Sequence, residues 1–188
     1  MSLHLLCRAL PRRLALFADN HTQHELLGIH DGQHVRLRDS TLAHDSIDNG
    51  YGLYVADSAS LDLEDSIIDM PGFATLDLAS LPGYQNIVDV LSNDIGTLPA
   101  SPTIVQGEPS FVDEANGDYH LQATSLGVDF APPDAAISVD LDDLPRDVDL
   151  PLIPNYYGPR DLGAYERQNM FQCGTSNSIF CNGYNYSW

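Results

Sequence analysis

Two arginines and two acids repeat at one spacing in this sequence. Arg36 and Arg38 each precede an acid, Asp62 and Glu64, by 26 positions. Lyases that cleave acidic polysaccharides use an arginine or lysine base beside acids, and glycoside hydrolases use two carboxylates at a defined separation. The four residues therefore admit polysaccharide cleavage as one interpretation. The other is a pair of opposite charges in register on the outer face of a sheet.

A metal site is the next chemistry that the acids and histidines suggest. Five aspartates crowd one short segment: Asp140, Asp142, Asp143, Asp147 and Asp149. An EF-hand calcium loop needs glycine at its sixth position and glutamate at its twelfth, and counting from Asp140 both places hold proline. The histidines match no metal-ligand spacing. A solvated acidic turn is the favoured interpretation and no cofactor is expected, with calcium as a weak alternative.

The spacing of 26 extends beyond the charged residues and so points to the fold. The segment HVRLRDSTLA aligns with SLDLEDSIID, and LGIHDG aligns with LYVADS. Alternating apolar residues at such a period predict a solenoid of short parallel strands about 4.8 Å apart. In this register Val35 lies beside Leu61 and Leu37 beside Leu63 in the core, while the two arginines face the two acids in solvent.

The same register places two like charges together. Asp39 falls on Asp65, each followed by a serine, Ser40 and Ser66. Like charges in contact are unfavourable unless they share an ion or occupy turns. Aspartates that cap turns, assisted by the serines, are the favoured interpretation.

Composition narrows the class of protein and of partner. The 188 residues are 43% hydrophobic, so the chain can bury a core, and they contain no apolar run long enough to span a membrane. The net charge of −19 and the absence of lysine argue against nucleic acid. Aspartate outnumbers glutamate 22 to 5, which favours turns between strands over helices.

Motifs in the second half resemble a known module. They are GEPSFVDEANGDYHLQATSLGVDFA, then DLDDLPR, then DLGAYE, and together they span roughly residues 107–167. Their order and spacing resemble the C-terminal segment of secreted bacterial right-handed parallel β-helix proteins with a choice-of-anchor Q domain. The chain departs from the family pattern at Leu126-Gly127, where the family has Pro-Ala, and at Asp143, where it has glycine.

The resemblance and the repeat together predict an all-β fold. We expect a right-handed parallel β-helix, a solenoid with coils of about 26 residues, followed by a C-terminal β-rich closing module. The expected boundaries are coils over 1–106, the choice-of-anchor Q-like segment over 107–167, and a tail over 168–188. In the tail Cys173 and Cys181 form a plausible disulfide, with two free thiols as the alternative.

The family implies architecture and export, and it assigns no catalytic residue. The expected function is therefore a non-catalytic structural or adhesive module of a secreted or cell-surface protein, with carbohydrate or cell-surface components as partners. The alternative is a lyase or glycoside hydrolase of the pectate-lyase-like β-helix fold. Because the N-terminal residues show neither a polar cap nor a signal peptide, we also expect a fragment of a longer chain that self-associates through its first coil.

Overall fold

The regular secondary structure of the described residues consists almost entirely of short strands. The computed structural model describes residues 14–23, 25–30, 32–43, 46–48, 51–56, 58–70, 74–77, 85–93, 98 and 100–169. The strands are β1 (Ala15–Ala18), β2 (His21–Thr22), β3 (Glu25–Ile29), β4 (His34–Arg38), β5 (Ser40–Ala43), β6 (Ser46–Ile47), β7 (Tyr51–Val55), β8 (Ser60–Asp69), β9 (Ala74–Asp77), β10 (Gln85–Ser92), β11 (Ile104–Gln106), β12 (Phe111–Asp113) and β13 (Asp118–Leu121). One turn of 3-10 helix, Glu114–Asn116, joins the last two strands.

Parallel pairing joins strands that are distant in sequence. A six-stranded sheet has the order β1-β5-β8-β10-β11, and β4 pairs with the first half of β8. Strands β3, β7 and β9 form a second parallel sheet, β2 and β6 form a third, and β12 and β13 form an antiparallel hairpin. Val35 pairs with Leu61 and Leu37 with Leu63, which is the register that the offset of 26 predicts.

The prediction of a right-handed parallel β-helix is wrong. The described strands form mostly parallel sheets that do not close into a solenoid. A solenoid stacks repeats of similar length, and here the spacing between paired positions varies: Ala15 pairs with Ser40, 25 positions on, and Val90 with Ile104, 14 positions on. The repeat therefore predicts which residues of neighbouring strands pair, but it does not predict whether the sheets close into a solenoid.

Three aspartates with a left-handed backbone bend the large sheet at neighbouring positions: between β4 and β5, within β8 and within β10. Asp39, Asp65 and Asp89 have φ of 47°, 49° and 53°. Aspartate tolerates this conformation better than most residues. The serine after each of the first two bends closes it, because the Ser40 hydroxyl donates to the Arg38 carbonyl and the Ser66 hydroxyl to the Glu64 carbonyl.

The bends divide the core into two hydrophobic clusters. Before the bend in β8, Leu63 packs in the first cluster, which lies between the six-stranded sheet and β3 and β7. After the bend the alternation shifts, so that Ile68 packs in the first cluster while Ile67 packs in the second. The second cluster joins the sheet to apolar residues of the C-terminal segment, which we define as residues 107–169.

The C-terminal segment is mostly irregular and lies directly on the sheet. Gly163 has φ of 89°, and a Cβ there would lie 2.6 Å from Thr41 Oγ1 and 2.8 Å from Ile67 Cδ1. Glycine is therefore required for this close approach. The neighbouring Ala164 N–H donates to Thr41 Oγ1 at 2.9 Å, and the Gly163 N–H donates to the Asp65 carbonyl.

Candidate functional site

The predicted charge pairs lie side by side on the outer face of the large sheet. Arg36 donates to Asp62 Oδ2 through Nε at 2.9 Å, and its Nη2 lies 2.8 Å from the same oxygen. Arg38 contacts Glu64 and also donates to Asp134 of the C-terminal segment at 3.2 Å. The two acids expose only 4% and 9% of their surface, so they do not face open solvent as expected. The arginines and Asn86 of β10, which donates to Glu64 at 2.6 Å, lie against them.

A serine and a histidine extend this polar row. His34 Nδ1 lies 2.7 Å from Ser60 Oγ, and its Nε2 lies 3.5 Å from Asp62 Oδ2. These contacts have the order of a nucleophile, base and acid. However, Asp62 Oδ2 already accepts from Arg36, and the Ser60 N–H, a donor that an oxyanion hole would need, donates to the Gln33 carbonyl. The contacts therefore fit a hydrogen-bonded ladder better than a catalytic triad.

A cleft of about 440 Å³ opens beside the second charge pair. The large sheet contributes Arg38, Glu64, Asp65 and Asp89 to its walls, and the loop of residues 132–136 forms the opposite side. One guanidinium group thus meets several carboxyl groups in a polar space large enough for a small ligand.

Burial raises the pKa of the aspartates that form the bends. The pKa of Asp65 is raised to about 7, chiefly by burial and then by the charges of Asp39 and Asp89. Burial also raises the pKa of Asp89, although hydrogen bonds with Thr103 and Asp65 oppose the change. At neutral pH the cleft wall therefore holds a carboxyl group that can donate or accept a proton.

A buried arginine connects the C-terminal segment to this row of aspartates. Arg160 is fully buried and its Nη1 donates to Asp39 at 2.9 Å. Its Nε donates to Asp147 at 2.7 Å, and its Nη2 donates to the carbonyls of Asp134 and Ile137 at 2.9 and 2.7 Å. One side chain thus joins two loops of the C-terminal segment to the sheet through four hydrogen bonds.

A second buried arginine lies on the other side of Asp39. Arg146 donates to the carbonyls of Gly163 and Asp161 at 2.9 and 2.6 Å, and its Nη2 lies 3.3 Å from Asp39 Oδ1. Burial raises the pKa of Asp39, and the two arginines oppose this by favouring its charged form. We refer to Asp39, Arg146 and Arg160 as the docking triad.

In the C-terminal segment, buried carboxyl groups accept backbone N–H groups that would bond to a neighbouring strand in a sheet. Glu166 accepts the N–H groups of Val148 and Asp161 at 2.7 and 3.1 Å. Asp161 accepts those of Asp129 and Arg167 at 2.9 and 2.7 Å. Burial, followed by repulsion from Asp161, raises the pKa of Glu166 to about 8, and burial raises the pKa of Asp161 to about 7.

Two of the five aspartates considered as calcium ligands have separate partners in the fold. Asp140 accepts the N–H groups of Asp142, Leu144 and Glu166, while Asp147 binds Arg160. In the part of the chain that the structure describes, no group of three or more histidine, cysteine or acidic side chains is arranged to hold a metal ion.

Two expectations concern residues outside the described part of the chain. The proposed disulfide partners Cys173 and Cys181, and the first 13 residues with their expected self-association, lie outside the described residues. Among the described residues no helix has the length and hydrophobicity to cross a membrane.

Sequence reasoning did not predict the docking triad. Arg146 of the triad, and the nearby Asp161 and Glu166, fall within the motifs DLDDLPR and DLGAYE. The motifs alone do not show which of these side chains are buried in the fold. The scarcity of cations could have indicated that these arginines have structural roles, since only three arginines and no lysine follow Arg38 in the sequence. Each of these three arginines is at most 5% exposed.

Comparisons with known proteins add no family assignment. The resemblance to the choice-of-anchor Q segment therefore stays a prediction from the motifs. No protein-family model, no curated protein and no solved structure matches this chain.

Proposed function

We propose that this chain is a non-catalytic structural and adhesive module of a secreted or cell-surface protein. The observation that carries the proposal is that Arg160 donates four hydrogen bonds, which join the C-terminal segment to the sheet. Arg146 and the buried acids are engaged in the same way. Charged groups that could otherwise do chemistry thus hold the fold together.

The charge pairs on the outer face support the same proposal. Arg36 is bound to Asp62, and Arg38 is bound to both Glu64 and Asp134. The hydrogen bond with Asp62 and the charge of Asp62 raise the pKa of Arg36, so Arg36 serves poorly as the base of a lyase. The secreted or surface location rests on the resemblance, and antibodies against the chain should label intact, unpermeabilised cells of its host.

A second candidate is a polysaccharide lyase or glycoside hydrolase. The cleft favours it, because Asp65 at its wall has a pKa near neutrality and Arg38 lies beside it. A carboxylic acid that holds its proton at neutral pH is what a general acid requires.

Polysaccharide turnover separates the two candidates. The purified chain is incubated with pectin, alginate and related polyuronates, with and without calcium, and unsaturated and reducing ends are measured. We expect no release of either product. Turnover that disappears in both Arg38→Ala and Asp65→Asn, but persists in Arg36→Ala, would instead establish an enzyme that uses the cleft.

A further inference from the structure

Two exposed tyrosines of the C-terminal segment form a rigid aromatic step. The ring of Tyr156 lies flat on the buried ring of Phe130, with centroids 5.0 Å apart and an angle of 6° between the planes. The ring of Tyr157 stands edge-on to that of Tyr156, with centroids 4.9 Å apart and an angle of 77°. Tyr156 is 64% exposed and Tyr157 is 43% exposed. Tyr157 also lies edge-on to Phe130, with centroids 5.5 Å apart, so it stands beside the two stacked rings and leaves the opposite face of Tyr156 exposed.

The backbone and neighbouring groups hold this step in place. The N–H groups of Tyr156 and Tyr157 donate to the carbonyls of Asp129 and Phe130 at 2.8 and 3.0 Å. The Tyr157 hydroxyl donates to the Pro102 carbonyl at 3.1 Å. The next residue is Gly158, where a Cβ would lie 2.6 Å from the Ala131 carbonyl oxygen, so the two segments are in close contact. A surface that is already ordered loses little conformational entropy when a ligand binds.

The charge around the step selects the kind of ligand. Residues 150–159 carry no charged side chain, in a chain that has 27 acids and a net charge of −19. Anionic ligands are repelled by the chain as a whole, and no side chain of the loop itself carries a charge that would bind an ion. An uncharged ligand with a flat apolar face and polar edges fits both the rings and the tyrosine hydroxyl groups.

The small size of the step argues against a protein partner. A specific protein interface buries about 800 Å² on each side. Two part-exposed tyrosines, with Leu152 in the same loop, provide much less apolar surface than that. One or two sugar rings match the step in size, and the C–H groups on one face of a pyranose complement the negative face of an aromatic ring.

We propose that Tyr156 and Tyr157 form a binding site for a neutral glycan, with a pyranose ring stacked on the open face of Tyr156. The inference rests on the adhesive part of the proposed function and names its ligand class. The site lies on the loop of residues 150–159 and uses no residue of the cleft or of the docking triad.

The test is binding of oligosaccharides to the full chain. Cellopentaose and mannopentaose serve as neutral probes, a pentagalacturonate as the anionic probe and a chitosan pentamer as the cationic probe. Isothermal titration gives the dissociation constants, and NMR shows which aromatic resonances shift on titration. We expect binding of a neutral probe, shifts of the Tyr156 ring signals, and binding of the anionic probe at least tenfold weaker.

Variants identify the stacked ring. Tyr156→Ala should weaken binding about tenfold or more, the loss typical of one stacked contact, while Tyr156→Phe should stay within about threefold of the unchanged chain. Tyr54→Ala removes a half-buried tyrosine on β7 and should leave binding unchanged. The melting temperature of each variant shows whether it is folded, and the NMR shifts of the unchanged chain locate the site without any variant.

Several results would overturn the inference. They are the absence of binding of neutral probes at millimolar concentration, binding of the chitosan pentamer alone, and shifts confined to residues outside the step. Each of these leaves the non-catalytic module standing if no probe is cleaved. Cleavage of a probe, in contrast, would remove the proposed function whatever the variants of Tyr156 show.

Discussion

The parallel sheets and the C-terminal segment satisfy their backbone polar groups in different ways. In the sheets, N–H and C=O groups pair from strand to strand, as between β4 and β8. From residue 107 onward, side chains take over many of these bonds: Glu166 and Asp161 accept backbone N–H groups, and Arg146 and Arg160 donate to backbone carbonyls. Backbone N–H and C=O groups of an irregular chain can thus find partners when they are buried, but the stability of the segment then depends on a few ionisable side chains.

The largest expected effect comes from breaking the docking triad. Arg160→Met should lower the free energy of unfolding by about 3–5 kcal/mol, because it removes the hydrogen-bond partner of the fully buried Asp39 and of the part-exposed Asp147 and leaves Arg146 as the one charged neighbour of Asp39 in the docking triad. Chemical denaturation measures the loss. Limited proteolysis should show cleavage within residues 107–169 before cleavage within the large sheet.

A paired change checks the cause of this loss. Asp39→Asn in the Arg160→Met background should recover part of the stability, since asparagine accepts the left-handed backbone at this position and carries no charge. Arg36→Met is the matched control on the sheet surface. A loss for Arg36→Met as large as that for Arg160→Met would show that the two regions do not differ in the way described.

The next effect is a loss of stability as the pH rises. The pKa values of Asp129, Asp65, Asp161 and Glu166 are raised to about 6, 7, 7 and 8, in each case chiefly by burial. A raised pKa means that the folded state binds protons more tightly than the unfolded state. Stability is then greatest near pH 4 and declines as the pH rises through 6 to 8. We expect the chain to be less stable at pH 8.5 than at pH 5 by several kcal/mol, since each unit by which a pKa is raised contributes about 1.4 kcal/mol, and urea denaturation measures the difference.

Two substitutions sharpen the pH prediction. Glu166→Gln should flatten the profile between pH 6 and 8.5, because it removes the group with the highest of these pKa values. Asp65→Asn keeps a residue that tolerates the left-handed backbone and should stabilise the chain above pH 7. Stability that stays constant or increases from pH 5 to 8.5 would contradict the assignment of protonated carboxyl groups.

The smallest effect concerns the outer face of the sheet. A double-mutant cycle on Arg36 and Asp62 should give a favourable coupling of about 0.2–1 kcal/mol, because the Arg36 side chain is half exposed and water screens its charge. Raising the salt concentration to 1 M should reduce this coupling. An unfavourable coupling would contradict the observed register.

Local pairing could be predicted from the sequence, whereas the overall architecture could not. The matching of Val35 with Leu61 and of Arg36 with Asp62 follows from a repeat that can be read directly. Whether such sheets close depends on the lengths of irregular connections, which carry no periodic signal. The left-handed bend at Asp89 could not be predicted from the repeat of 26, because β8 and β10 pair at an offset of 24, as between Leu61 and Gln85.

The docking triad and the aromatic step were beyond the reach of sequence reasoning for another reason. Arg160 meets Asp39 across 121 positions, and no pattern in one sequence specifies a contact at that separation. Tyr156 and Tyr157 are adjacent in sequence, but their exposure depends on the fold around Phe130. Side chains that connect distant segments therefore become visible only in the structure.

The bond between Ala164 and Thr41 has a consequence for synthesis of the chain. The two residues are 123 positions apart. A ribosome adds about 5–20 residues per second, so roughly 6–25 s pass between the emergence of the first partner and that of the second. Ile67 and Leu91 of the second cluster lack a complete cover until its later members, which run from Phe111 to Leu162, have been made. The nascent sheet thus carries an uncovered apolar face for many seconds, and its yield should depend on chaperones that bind such faces.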